Sequence, residues 1–411
     1  MDNDNPRSML LDGATGTNLY LRGMPQGVCI EEWILDHPEV IQEIQSRFIE
    51  AGSDIIYAPT FSANREKLGF YGHADKVLEL NHRLVALSKE VAGDKLVAGG
   101  MSPTGLFVEP FGETSFDELV SIYSQQAEAL NTAGVDLFVI ETMLSLTETR
   151  AAVLACRGYH KPIYVTITVN ERGKTLSGAS AFTCLVVLQE LGISGFGLNC
   201  SFGPELIGEQ LKEIAPFAKI PLIAKPNAGQ PNPLLENTYE LSPTIMSQMM
   251  KEVLDAGATI IGGCCGTTPD HIREMRKLLN SYHHDEENKP YREQANDMLL
   301  ANETEIFALD NDRIEFSEPI YCEFDMADTL LSCEEESFDV IQIYLETIDE
   351  ALQFSLNSHF AKLPICFHSS SIAALERALY LYSGRAMIDC QCPIERDELN
   401  QLAKKYGAIV Y

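Results

Sequence analysis

The 411 residues carry 60 acidic side chains against 30 basic ones, a formal net charge of −30 at pH 7. A phosphate backbone demands a basic face, so this balance argues against a nucleic-acid partner. Eleven cysteines are too few for a disulfide-built scaffold of this length, and no apolar run approaches the ~20 residues of a membrane span.

Residues 1–8 are polar and lack the apolar stretch of a leader. A reducing cytoplasm that keeps thiols free is therefore the expected compartment. From Met9 onward, short apolar runs alternate with longer amphipathic ones. The predicted strands are Met9–Asp12, Asp54–Pro59, Leu96–Gly100, Leu137–Glu141, Ile163–Val169, Gly195–Cys200, Leu222–Asn227 and Thr259–Cys264. Helical patterns lie between them, and several stop at a glycine, as in Ala51-Gly52 and Ala133-Gly134. Eight such units over about 270 residues predict an α/β fold, a (β/α)8 TIM barrel spanning residues 1–282. An open doubly wound sheet would need a glycine fingerprint that Gly13-Ala14-Thr15-Gly16-Thr17 does not supply.

A polar stretch predicts a linker at residues 283–303, and a smaller partial β/α domain at 304–411. Its expected strands are Glu305–Leu309, Ile320–Phe324, Val340–Tyr344, Pro364–His368, Ala386–Cys390 and Ala408–Tyr411, with helices at Ile348–Asn357, Ser371–Tyr382 and Arg396–Tyr406. An unclosed parallel sheet leaves unpaired edges, so a homodimer through this unit is expected.

Cysteines cluster at two predicted strand ends. Gly197-Leu198-Asn199-Cys200-Ser201 closes the sixth strand, and Gly262-Gly263-Cys264-Cys265-Gly266 closes the eighth. Strand C-termini converge on the barrel face that carries active sites. Adjacent residues in a strand point to opposite sides, so Cys264 and Cys265 share a ligand only if the strand has ended there. Three thiolates suit a zinc ion with one position open. The remaining eight, including Cys390 and Cys392, read as small buried or isolated thiols. A site of three thiolates donates too strongly to be a good generator of hydroxide. It suits an incoming thiol, which the metal holds as thiolate, and so points to alkyl transfer onto sulfur.

These segments, with Leu11-Asp12-Gly13-Ala14-Thr15-Gly16-Thr17, Pro59-Thr60-Phe61, Glu141-Thr142 and Pro226-Asn227-Ala228-Gly229, resemble the homocysteine S-methyltransferase family, most of all the methionine synthase type. The resemblance implies zinc on Cys200, Cys264 and Cys265, with homocysteine sulfur as fourth ligand. It also implies that Asp12 and Glu141 hold the substrate's ammonium, with backbone near Gly13 and Thr60 at its amino-acid end. Asn199 would orient ligands or substrate beside them. The product would be methionine, and the methyl donor either methylcobalamin on a separate corrinoid protein or a small onium compound such as S-methylmethionine or betaine. Tyr57, Phe61, Trp33 or Phe202 could cage an onium. A zinc- and thiol-binding subunit without turnover is the alternative from another class.

Residues 304–411 resemble the first half of a pterin-binding barrel. Tyr321-Cys322-Glu323-Phe324-Asp325-Met326 departs from that family's Gly-Glu-Arg-hydrophobic-Asn run, and His368 replaces an acidic pterin contact. Folate binding is therefore not expected.

Overall fold

The computed structural model describes residues 8–230, 239–283, 298–310 and 313–411. Eight parallel strands follow one another in chain order around the first unit. They are β1 (Met9–Leu10), β2 (Ile55–Ala58), β3 (Leu96–Met101), β4 (Leu137–Met143), β5 (Ile163–Ile167), β6 (Gly195–Asn199), β7 (Leu222–Lys225) and β8 (Ala258–Ile261). β1 pairs with β8 through Met9–Ile260 and Leu10–Ile261, and a Leu11–Ile55 bridge brings β2 against β1. The ring thus closes into the expected barrel.

These strands are short and apolar because a parallel barrel buries both faces. Leu11, Ile55, Ala98, Val139, Ile223 and Ile260 fill the interior. Alternate residues such as Leu10, Ile56, Val97 and Ile140 pack outward against the helices. Among the described residues, eight helices cover the outside: α3 (Pro38–Ala51), α5 (Val77–Ala92), α6 (Phe116–Ala133), α7 (Leu146–Cys156), α8 (Ala181–Glu190), α9 (Pro204–Ile214), α10 (Pro243–Asp255) and α11 (Pro269–Ser281). Gly52 and Gly134 cap α3 and α6 in the left-handed conformation, as their placement predicts. Three short helices go beyond the sequence prediction: α1 (Thr15–Leu21) and α2 (Ile30–Asp36) after β1, and α4 (Arg65–Gly69) after β2.

Part of the predicted linker is a strand. β9 (Met298–Ala301) forms an antiparallel hairpin with β10 (Ile306–Leu309), while residues 284–297 lie outside the described ones. Five parallel strands follow in chain order: β11 (Ile320–Tyr321), β12 (Ile341–Tyr344), β13 (Ile365–His368), β14 (Met387–Ile388) and β15 (Ile409–Val410). Between them run α12 (Ala327–Glu335), α13 (Ile348–Asn357), α14 (Ile372–Leu381) and α15 (Arg396–Tyr406). One sheet face packs Ile341, Ile343, Phe367 and Ile388 on these helices. On the other face, Leu300 of the hairpin is buried with Cys366 and Met387.

This second unit docks on α6 to α8. Arg150 of α7 is buried and donates to the carbonyls of Leu379 and Tyr380 at 3.2 and 3.4 Å. Asp117 at the start of α6 pairs with Arg377 of α14, and Thr147 Oγ1 bonds Glu303 and Ser383.

Candidate metal centre

Every strand of a closed barrel aims its C-terminal end at one mouth, and the cysteines follow β6 and β8 at that mouth. β8 stops at Ile261, so Cys264 and Cys265 lie in a turn, free of strand alternation. The turn is tied down on both sides: Gly263 N–H donates to Asp12 O at 3.0 Å, Cys264 N–H to Pro226 O at 2.9 Å, and Ala228 N–H to Cys265 O at 2.9 Å. Only glycine fits twice here. A Cβ on Gly263 would meet Thr267 Oγ1 at 2.3 Å, and one on Gly266, at φ +78°, would meet the Tyr239 ring at 2.3 Å.

Cys200 and its neighbour Ser201 sit at φ +59° and +57°, and Thr142 beside Glu141 at +62°. Such backbone costs a non-glycine residue about 1–3 kcal/mol and collects at functional sites. Asn199 holds this geometry: its Oδ1 accepts from Thr142 N–H at 3.0 Å, and its Nδ2 reaches Thr142 Oγ1 at 2.7 Å and Cys264 Sγ at 3.8 Å.

Cys200 Sγ and Cys265 Sγ are 4.0 Å apart, and all three sulfurs lie within 4.8 Å of one another. Around a tetrahedral zinc with ~2.3 Å bonds, sulfurs stand about 3.8 Å apart. Among the described residues no other group of three His, Cys, Asp or Glu ligand atoms is this close. Without a cation the trio resists ionisation. The hydrogen bond with Cys200, together with burial, pushes Cys264 up to about 12. For Cys265 the bond to Cys200 lowers the value, but the bond to Cys264 and burial outweigh it and push the thiol up to about 11. A divalent ion supplies the charge that makes all three thiolates acceptable.

Beneath the sulfurs lies an acidic floor. Asp12 is 2% exposed; its Oδ2 accepts from Tyr57 N–H at 2.7 Å, and its Oδ1 has no partner. Burial pushes its carboxyl up to about 7. Glu141 Oε2 lies 3.3 Å from Lys225 Nζ. Gly13 packs flat against the Phe48 ring, where a Cβ would clash at 2.7 Å. Thr60 is engaged within the protein: its N–H donates to Ala58 O at 2.8 Å, its hydroxyl to Gly100 O at 2.9 Å, and its carbonyl accepts from Gln126 at 2.8 Å.

Two residues here go beyond the sequence reading. Lys225 ends β7 inside the barrel, its ammonium 3.6 Å from the Tyr57 ring centroid. Burial alone would depress that ammonium, but Glu141, Tyr57 and Asp12 hold it well above its usual range. The signal was a lysine closing the apolar run Leu222-Ile223-Ala224. Tyr239 packs its ring against the Gly266 turn, and burial together with Cys265 pushes its hydroxyl up. Of the aromatics considered for an onium cage, Tyr57 already faces Lys225, and Trp33 stacks on His37 at 4.4 Å.

Known proteins share this arrangement of segments. The model of the homocysteine S-methyltransferase family matches residues 9–279. Methionine synthase of Mycobacterium leprae is 34% identical over 292 residues, covering 66% of this chain and 24% of that protein. Methionine synthase of Mycobacterium tuberculosis is 30% identical over 318 residues, covering 72% and 26%. The chain thus spans about a quarter of the length of these relatives. The homocysteine methyltransferase MmuM of Escherichia coli, in its metallated form, superposes with a TM-score of 0.56 at 23% identity, over 67% of this chain and 97% of that one. At that identity the likeness speaks to the fold. With a match across the whole barrel and both cysteine-bearing turns, the chain belongs to the homocysteine S-methyltransferase family.

Proposed function

We infer that this protein transfers a methyl group to the sulfur of homocysteine, giving methionine, at a zinc site made by Cys200, Cys264 and Cys265. The observation that carries this reading is the convergence of three sulfurs, all within 4.8 Å, above the acidic floor of one barrel mouth. A zinc ion held there keeps an incoming thiol ionised at neutral pH. The acceptor sulfur then attacks the methyl carbon in line. One S–C bond forms, the donor–methyl bond breaks, and its electron pair leaves with the donor. Asp12 and Glu141 draw the acceptor's ammonium to the floor, and Gly13 lets the backbone approach closely. Asn199 holds Cys264 and Thr142 in place from behind. Positioning does most of this work, because the displacement needs no proton transfer once the sulfur is ionised.

Methylcobalamin is favoured as the donor over a small onium compound. Tyr57, the deepest candidate for an onium cage, is already paired with a lysine. Folate is not expected at the second unit, and the edges β11 and β15 are where a second copy would pair. The test is methionine formation by the zinc-loaded protein from homocysteine with methylcobalamin, S-methylmethionine, betaine or methyltetrahydrofolate. Turnover is expected with one of the first three. No turnover with any donor, together with no binding of homocysteine, overturns the reading.

A further inference from the structure

Helix α13 buries Ala351, Phe354 and Asn357 against the second unit. Its opposite face carries Ile348, Leu352 and Leu356, which are 53%, 40% and 36% exposed. Single exposed aliphatic side chains are ordinary, but these three stand four residues apart, in the row that forms a ridge along a helix. The ridge runs about 12 Å, at 1.5 Å per residue. At its C-terminal end the chain turns through Ser358–Phe360, and aromatic rings continue the row onto the barrel. The ring of His359 lies 3.9 Å from that of Phe360 and 5.1 Å from that of Phe111, centroid to centroid. Phe111 is 71% exposed and belongs to the loop between β3 and α6. The band is roughly 20 Å long and crosses from one unit to the other.

Acidic side chains flank it. Asp349 follows Ile348, and Glu109 and Glu113 bracket Phe111. Glu323 and Asp325 are brought beside the end of α13, because Asn357 Nδ2 donates to the carbonyl of Phe324 at 3.2 Å. All five carboxylates are exposed. Lys362, two residues past Phe360, offsets one of these charges.

We propose that this band is a docking surface for a partner protein that presents an amphipathic helix, with leucine-sized side chains on one face and lysine or arginine along its margins. A ridge of residues four apart seats in the groove of another helix, which sets the shape of the occupant. A helix of about 14 residues spans the band. The carboxylates set its charge, since complementary potentials speed encounter and like charges placed face to face are unfavourable. A second copy of this chain fails on that count: two such bands laid together would set acid against acid along both margins.

The experiment uses the zinc-loaded full chain and measures the fluorescence anisotropy of three synthetic peptides of about 14 residues. The first is built of leucine and lysine with its leucines on one helical face. The second has glutamate in place of each lysine, and the third scatters the same leucines around the helix. The first should bind, and the other two should bind at least about tenfold more weakly. L352S/L356S should weaken the first peptide about tenfold or more, the worth of partly burying two leucines. F111S, at the other end of the band, should weaken it in the same direction. I245S, which changes a side chain 50% exposed on α10 of the barrel, should leave binding unchanged. The two band variants are independent, so thermal unfolding that reveals a folding defect in one leaves the other to decide. Equal binding of the glutamate or scattered peptide overturns the proposal, as does binding that neither band variant weakens or no binding at all. Sedimentation of the chain alone tests the other occupant: a dimer that L352S/L356S converts to monomer overturns the proposal in favour of a second copy.

Discussion

Both units present polar and sulfur-bearing side chains at the C-terminal ends of parallel strands, yet only one gathers them into a site. In the barrel the ring closes, so residues from β6 and β8 face each other across the mouth and three sulfurs meet within 4.8 Å. In the second unit the sheet stays open, and strand ends fall in a line. Tyr321, Tyr344 and His368 stand opposite one another on β11, β12 and β13, and His368 bonds Asp389 just beyond β14. Their ring centroids are 5.6 and 4.2 Å apart, tilted between Tyr321 and Tyr344 and stacked between Tyr344 and His368, close to the spacing of neighbouring strands. Cys322, Cys366, Cys390 and Cys392 are likewise spread along this row rather than brought together. Closure, more than residue type, turns a set of strand ends into a centre.

The sharpest way to break that comparison is to remove one sulfur from each unit. Cys265→Ala should abolish zinc retention, measured as metal per chain after dialysis, because two thiolates are a poor hold for zinc. Cys392→Ala should leave the zinc content unchanged. Equal content in both variants would remove the metal assignment. Retention by the native protein should strengthen as pH rises: Cys264 and Cys265 sit at about 12 and 11 without metal, so zinc competes with their protons and loses to them in acid.

A smaller effect comes from behind the ligands. Asn199→Ala frees Thr142 and withdraws the amide from Cys264 Sγ. Zinc affinity should fall about 10- to 100-fold, the usual loss when a ligand's support is removed. A chelator competition would measure it. An unchanged affinity would mean that the left-handed turns at Cys200 and Ser201 position the sulfurs unaided.

Arg150→Met tests how the two units are joined. The guanidinium is fully buried, which lowers it to about 10, and it serves two carbonyls at the end of α14. Its loss should destabilise the second unit by about 2–3 kcal/mol, since carbonyls left buried lose charge-assisted bonds. Urea unfolding should then separate into two transitions, with zinc content unaffected. Simultaneous loss of zinc would show that the docked unit supports the mouth.

Asp12 supplies a pH signature of comparable or smaller size. Its carboxyl is held up to about 7 by burial, so below that pH it is protonated and cannot pair with an ammonium. Homocysteine affinity should therefore rise up to about tenfold per pH unit as pH climbs to about 7, and its slope flatten above. The D12N variant should lack this component and keep only the slope from the thiol's own proton. Identical profiles for the two proteins would place the ammonium elsewhere.

Much of this is legible in the residues, and what is not has physical reasons. The eight barrel strands read clearly because strands buried on both faces are continuous apolar runs. Several end one to three residues earlier than their sequence pattern predicts. The reason is the site itself: Cys264 and Asn227 continue the apolar or small-residue pattern after the ladder has stopped at Ile261 and Lys225. The hairpin strand Met298–Ala301 falls in the predicted linker because only four residues pair, next to a long polar stretch. Lys225 leaves only the trace of a lysine closing the apolar run Leu222-Ile223-Ala224, and one lysine at a strand end reads first as a solvated flank. Only the packing of β2, β4 and β7 around one axis shows where its ammonium goes.

The smallest expected effect bears on the open row. His368 Nδ1 and Asp389 Oδ2 are 2.7 Å apart, in side chains only 18% and 12% exposed, and the pair has the look of catalytic machinery. Its surroundings argue otherwise. The carboxylate also accepts from Gln391 N–H at 2.8 Å, which makes it a turn anchor after β14. The imidazole stacks on Tyr344 and extends a ring ladder that ends in Tyr321, 68% exposed. Asp389→Asn keeps the shape of that turn and can still accept from Gln391 N–H, so it should cost about 1 kcal/mol of stability, the net worth of the hydrogen bond with His368. Zinc content and homocysteine affinity should match the native protein, because nothing along an open sheet carries the change to a mouth formed by a closed one. A fall in homocysteine affinity in that variant would mean the row contributes to the acceptor site, and the contrast between closed and open strand ends would no longer explain where the chemistry sits.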